Sequence, residues 1–165
     1  MTDEQIALAK RAVACRGWRW MPGMEFHLDG AGAMSSGWRV QSVQMRVLDG
    51  WAHAVRTVIA GPCEFILAPR GNIHVRFTDG TLSRKPSGTT MLPCIEDHAT
   101  LGCLLALVRE AWNDECVCVL PVDYGPGGVA WFCRLTVGGR DLARSYVPGS
   151  VGEAEALVAA LENAP

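Results

Sequence analysis

Apolar residues recur along the chain with two different periods. Over residues 3–15 the spacing is helical, with Ile6, Ala9 and Val13 on one face. Thr2 followed by Gln5 has the form of a capping box, and Gly17 is placed to end the helix. Between Trp38 and Leu48 the period shortens to two, and WRVQSVQMRVL sets Val43, Met45 and Val47 on one face of a strand. AspGly at 49 and 50 leads straight into WAHAVRTVIA, which predicts a two-residue hairpin. A second AspGly, at 79 and 80, joins NIHVRFT to TLSR in the same way. CEFILA, Cys63 to Ala68, lies between Pro62 and Pro69 and predicts another short strand.

The clearest helix follows Asp97, where Leu101, Leu104, Leu105, Val108 and Trp112 form one stripe. Each large apolar side chain contributes roughly 1.5–3 kcal/mol when buried, so this stripe is expected at the centre of the core. CVCVL predicts a strand, PVDYGPGG a loop, and VAWFCRLTV a strand with Trp131, Cys133, Leu135 and Val137 on one face. GlyGly at 138 and 139 turns the chain into RDLARSYV. Ser150 and Glu153 have the form of a second capping box, opening a helix with Ala154, Leu157, Val158 and Leu161 as its stripe. The expected fold is α+β: antiparallel hairpins and a three-stranded C-terminal meander packed with about three helices. No repeat or linker divides the chain, so a single domain over residues 1–165 is expected, with KPSGTTMLP (Lys85–Pro93) as its one seam.

Composition narrows the class. A chain of 165 residues buries roughly two thirds of its unfolded surface as one domain. No apolar stretch approaches the ~18 residues of a membrane span, and MTDEQIALAKR has neither signal- nor transit-peptide form. The expected location is the cytoplasm. Seven cysteines, an odd number lying mostly in apolar runs, predict reduced thiols. The net charge of −2 is uneven: residues 1–90 carry +4 and residues 91–165 carry −6. Thirteen of the fifteen basic residues are arginine, the side chain suited to bidentate recognition of phosphate or carboxylate.

Phosphate-loop, zinc-protease, nucleophile-elbow and dinucleotide motifs are absent, which favours a binding protein over an enzyme. Cys94, His98, Cys116 and Cys118 offer a zinc-like set, but CVCVL reads better as core, and neither metal nor cofactor is assigned. Of the histidines at 27, 53, 74 and 98, His53 and His74 sit in predicted strands near Arg56 and Arg76. HVRF places His74 and Arg76 on one strand face with Arg84 and Lys85 within hairpin reach. Such a face holds an anion or is simply the solvated side of a hairpin. In CRGWRWMPGM, extended backbone projects Trp18 and Trp20 to one face and Arg19 to the other, before a MetProGly turn. Beside Arg16 and Arg19 the tryptophans suit base stacking and phosphate grip; the alternative is that they anchor the first helix.

CRGWRWMPGM, DHATLGCLLALVREAWND and GEAEALVAALENA, in this order, resemble segments shared by small proteins encoded in tailed-phage and prophage genomes. The resemblance implies a phage accessory protein in a bacterial cytoplasm, and it brings no catalytic residues. It leaves out residues 25–90, the place of a specialised β-hairpin insert. The expected function is counter-defence binding that sequesters a small anionic ligand, such as a nucleotide immune signal, through Arg16, Trp18, Arg19, Trp20, His74, Arg76 and Arg84. The alternative is an inhibitor or adaptor docking on a host or phage protein; a small hydrolase ranks below both. Direct nucleic-acid binding is not expected from a negative chain without a recognition motif. A homo-oligomer would complete a small binder's pocket across a symmetric interface.

Overall fold

The computed structural model describes residues 1–30, 37–48, 53–68, 72–84, 89–123, 128–137, 140–145 and 152–165, with the backbone alone at 84, 135–137 and 140–145. The described elements are α-helices and antiparallel sheets, an α+β fold. The chain divides into two compact units, Trp20–Cys94 and the remainder, Met1–Arg19 with Ile95–Pro165. Among the described residues no helix is long and apolar enough to cross a membrane.

The central unit contains β1 (Glu25–Asp29), β2 (Trp38–Arg39), β3 (Ser42–Arg46), β4 (Val55–Ala60), β5 (Cys63–Leu67), β6 (Ile73–Arg76), β7 (Leu82–Arg84) and β8 (Thr90–Pro93). The MetProGly turn opens it: Met24 N–H donates to the Met21 carbonyl at 3.2 Å, and Gly23 takes φ +95°, a conformation that strains any side chain. Strand β1 alternates, with Phe26 and Leu28 buried, and it runs between β2 and β8 in a three-stranded sheet. Strands β3 to β7 form a five-stranded meander. Phe26 meets Phe65 edge-on at 5.0 Å between centroids, Trp38 meets Phe65 at 5.3 Å and Trp20 meets Phe26 at 5.6 Å, so aromatic rings join the two sheets.

Three expectations change here. The run WRVQSVQMRVL is two strands because the chain leaves one sheet for the other at the buried Val40: Val40 N–H donates to Met24 and Gln41 N–H to Ile59. Its Met45 and Val47 face is solvent-exposed, at 64% and 74%. A two-residue turn at Asp49–Gly50, which lie outside the described residues, would pair Arg46 with His53; Arg46 pairs with Val55 instead. A slip of two keeps every side chain on its face, so alternation cannot detect it.

The second AspGly turn differs by one residue, which does exchange faces. Gly80 N–H donates to the Phe77 carbonyl at 3.0 Å and Gly80 takes φ +83°, giving a three-residue loop, Thr78–Gly80, with a positive-φ glycine at its end. A two-residue turn would pair His74 with Lys85; the observed register pairs His74 with Arg84 and Arg76 with Leu82. Within KPSGTTMLP, Thr90–Pro93 is β8, paired with β1.

The other unit contains α1 (Asp3–Ala14), α2 (His98–Trp112), β9 (Cys118–Asp123), β10 (Val129–Val137), β11 (Arg140–Ser145) and α3 (Glu153–Glu162). The Thr2/Gln5 capping box is present, and Asp97 accepts from Thr100 N–H at 2.8 Å to cap α2. Gly17 lies past the end of α1 at a close approach: a Cβ there would meet Leu161 Cδ1 at 3.3 Å. The three strands form the expected meander, β11-β10-β9, and PVD of the expected loop belongs to β9. Pro121 is tolerated because β9 is an edge strand.

The expected centre of the core is corrected. Residues Ala156 to Leu161 of α3 are all buried, without an exposed face, whereas α2 half-exposes Leu101, Leu105 and Trp112 and buries Leu104, Leu107 and Val108. Helix α3 contacts α1, α2, β9 and β10, which explains burial on every side. Trp112 Nε1–H donates to the Ala160 carbonyl at 2.9 Å, and Arg11 grips Glu162 bidentately at 2.9 and 2.7 Å. Ser150, the first residue of the expected second capping box, lies outside the described residues; the N-cap of α3 is Gly152, without a side-chain cap hydrogen bond.

Candidate functional site

The residues of CRGWRW are divided by the fold. The boundary between the two compact units falls between Arg19 and Trp20. Arg16 is exposed and Trp18 half-buried in the first, while Trp20 is buried in the core of the second against Phe26. Arg19 is committed to a bidentate pair with Glu110 of α2, with Nη1 2.8 Å from Oε1. The same bonds hold the Glu110 carboxyl below the usual carboxylate range.

Two clefts open in the helical unit. The larger, of 720 Å³, is lined by Glu4, Glu96, Glu153 and Glu155 around Arg11, an acidic wall unsuited to phosphate. The second, of 580 Å³, includes Arg16 with Cys15 and Glu162. Neither has tryptophan in its lining.

Basic groups gather instead on one face of the five-stranded sheet. In β6, His74 and Arg76 are two residues apart and therefore share a face, both half-buried. The register sets Arg76 against Glu64 and His74 against Arg84. Glu64 is the centre of this face: Arg46 Nη1 donates to its Oε1 at 2.7 Å and Arg76 Nη1 to its Oε2 at 3.1 Å. To make its bond Arg46, on the edge strand β3, reaches a carboxylate two strands away. The Glu64 side chain is 13% exposed, while Arg46 and Arg76 remain 47% and 35% exposed. One shielded carboxylate thus holds two guanidinium groups on side chains that stay partly open to solvent. Lys85 lies outside the described residues, and of Arg84 only the register position is described.

The sequence pattern named His74, Arg76 and Arg84 but missed Arg46 and Glu64. Their separation along the chain leaves no local signal; only the strand order brings them together.

The zinc-like quartet resolves differently. His98 and Cys116 are exposed and Cys118 half-buried in one unit, while Cys94 ends the other. Among the described residues the metal-capable group of three is Glu25, His27 and Cys94, whose ligand atoms lie within 4.8 Å of one another. Glu25 and His27 share a face of β1, and the Cys94 N–H donates to the Glu25 carbonyl at 2.8 Å, extending the β1–β8 ladder. The i, i+2 spacing in EFH was the available signal; the cysteine follows β8, 67 positions beyond His27. No disulfide joins the seven cysteines, of which Cys63 and Cys133 are buried.

No family model matches the chain, and no curated protein or solved structure matches it. The fold and the charged sheet face therefore define a class, an α+β protein of two compact units with a basic β-face, and the functional reading rests on the face itself.

Proposed function

We propose that this protein is a small phage accessory protein that acts by binding, capturing a phosphate-bearing ligand such as a nucleotide immune signal on the basic face of its five-stranded sheet. The observation that carries the reading is the pair of guanidinium groups held on the two oxygens of Glu64, beside His74 and the Arg84 position. Orientation by Glu64 removes part of the side-chain entropy that two free arginines lose on gripping an anion. The triad retains a net positive charge, and each guanidinium keeps donors for a phosphate oxygen.

Titration calorimetry against cyclic dinucleotides and ADP-ribose tests it. One of these ligands binds with about unit stoichiometry, and Arg76→Ala weakens it roughly 10- to 100-fold, the value of a lost charge-assisted hydrogen bond of ~1.5–3 kcal/mol. Arg19→Ala, in the ion pair with Glu110, leaves it unchanged. Absence of heat with every nucleotide, or equal weakening by both variants, overturns the reading.

A second reading, docking on a host or phage protein, is supported by exposed Leu120, Val122 and Val129 on β9 and β10. A stoichiometric partner in pull-downs that is lost in Leu120→Asp, together with no nucleotide binding, would select it.

A further inference from the structure

We propose that Glu25, His27 and Cys94 form a zinc-binding site with one coordination position left open. The three residues supply one oxygen, one nitrogen and one sulfur ligand, two from β1 and one from the residue that follows β8, all within 4.8 Å. Zinc bonds of about 2.0–2.3 Å at tetrahedral angles place ligand atoms roughly 3.3–3.8 Å apart. Side-chain rotation thus has to close the group by about one ångström, while the ladder fixes the backbone: His27 pairs with Leu92, and Cys94 donates to Glu25.

The His27 Nε2 is buried with no hydrogen-bond partner, and buried polar atoms in folded proteins are almost always paired. Coordination of zinc through Nε2 would supply the missing partner. Glu25 is held from behind: Arg39 Nη2 donates to its Oε2 at 3.0 Å while Nη1 donates to the Gly23 carbonyl at 2.7 Å. Such outer-shell anchoring orients metal ligands.

Thiolate and imidazole together select zinc over magnesium or calcium. On binding, the Cys94 S–H bond breaks, the proton passes to solvent, and the sulfur lone pair forms the metal bond without redox change. Three protein ligands leave the fourth position to water or an incoming anionic group.

Metal-free protein titrated with Co(II), a spectroscopic stand-in for zinc, decides the matter. One equivalent binds, with a sulfur-to-cobalt charge-transfer band and the strong visible bands of tetrahedral cobalt, and zinc displaces it. Cys94→Ser abolishes the charge-transfer band. His27→Gln and Glu25→Gln, each verified as folded by circular dichroism, weaken cobalt at least about tenfold. The double variant Cys116→Ser/Cys118→Ser binds like the parent. No cobalt band, a band that persists in Cys94→Ser, or a band lost in the double variant overturns the proposal.

Discussion

If α3 is the centre of its unit, truncating it costs far more than truncating the more conspicuous stripe of α2. Leu157 is 0% exposed, on a helix contacted by α1, α2, β9 and β10. Leu157→Ala removes the transfer free energy of the lost methyl groups and leaves a void that four packed neighbours cannot easily fill. Losses of about 3–5 kcal/mol are expected for such a site. Leu105 of α2 is half-buried, so Leu105→Ala opens a surface groove to water instead of a cavity and costs ~1 kcal/mol. With a urea slope of about 2 kcal/mol/M, a loss of about 3 kcal/mol moves the midpoint down by about 1.5 M. Far-UV circular dichroism in the helix band is the suitable probe, because all three described helices belong to this unit. A midpoint shift in Leu105→Ala as large as that in Leu157→Ala would refute the central place of α3.

Two further outcomes are expected. Hydrogen bonds from Arg11 hold the Glu162 carboxyl below its ordinary 4.5, so the folded state binds its proton less readily than the unfolded chain. The pair's contribution is therefore present above pH 4.5 and is lost as pH falls through the lower folded value. Arg11→Ala should flatten the acid limb of the urea midpoint against pH, and parallel limbs would contradict the assignment. Burial pushes the Cys133 thiol up to about 11, whereas Cys116 is exposed. An aromatic disulfide reagent should modify Cys116 first in the native protein; a fast phase surviving Cys116→Ser would show that accessibility is misassigned.

Local features were legible wherever neighbours in sequence make the structure. The Thr2/Gln5 box, the Asp97 cap, the MetProGly turn and the C-terminal meander all follow from groups within a few residues of one another. The candidate site was legible only in part. Arg76 and His74 share a face by period alone, but the pairing of His74 with position 84 depends on the three-residue loop that Gly80 closes. Trp20 illustrates the opposite case: its place beside arginines suggested stacking on a base, yet Phe26 takes its ring into the core.

Residue order thus set the periods, the caps and the turn glycines, and through them an α+β chain of hairpins and helices, because these depend on hydrogen bonds and side-chain directions over one or two turns. It also set the uneven charge and the arginine excess. The strand registers, the burial of α3 on every side, and the meetings of Arg46 with Glu64 and of Cys94 with His27 were decided by tertiary packing. A slip of two residues leaves the alternation intact, and an amphipathic stripe does not reveal how many neighbours will cover a helix, so neither is written in any short stretch of the chain.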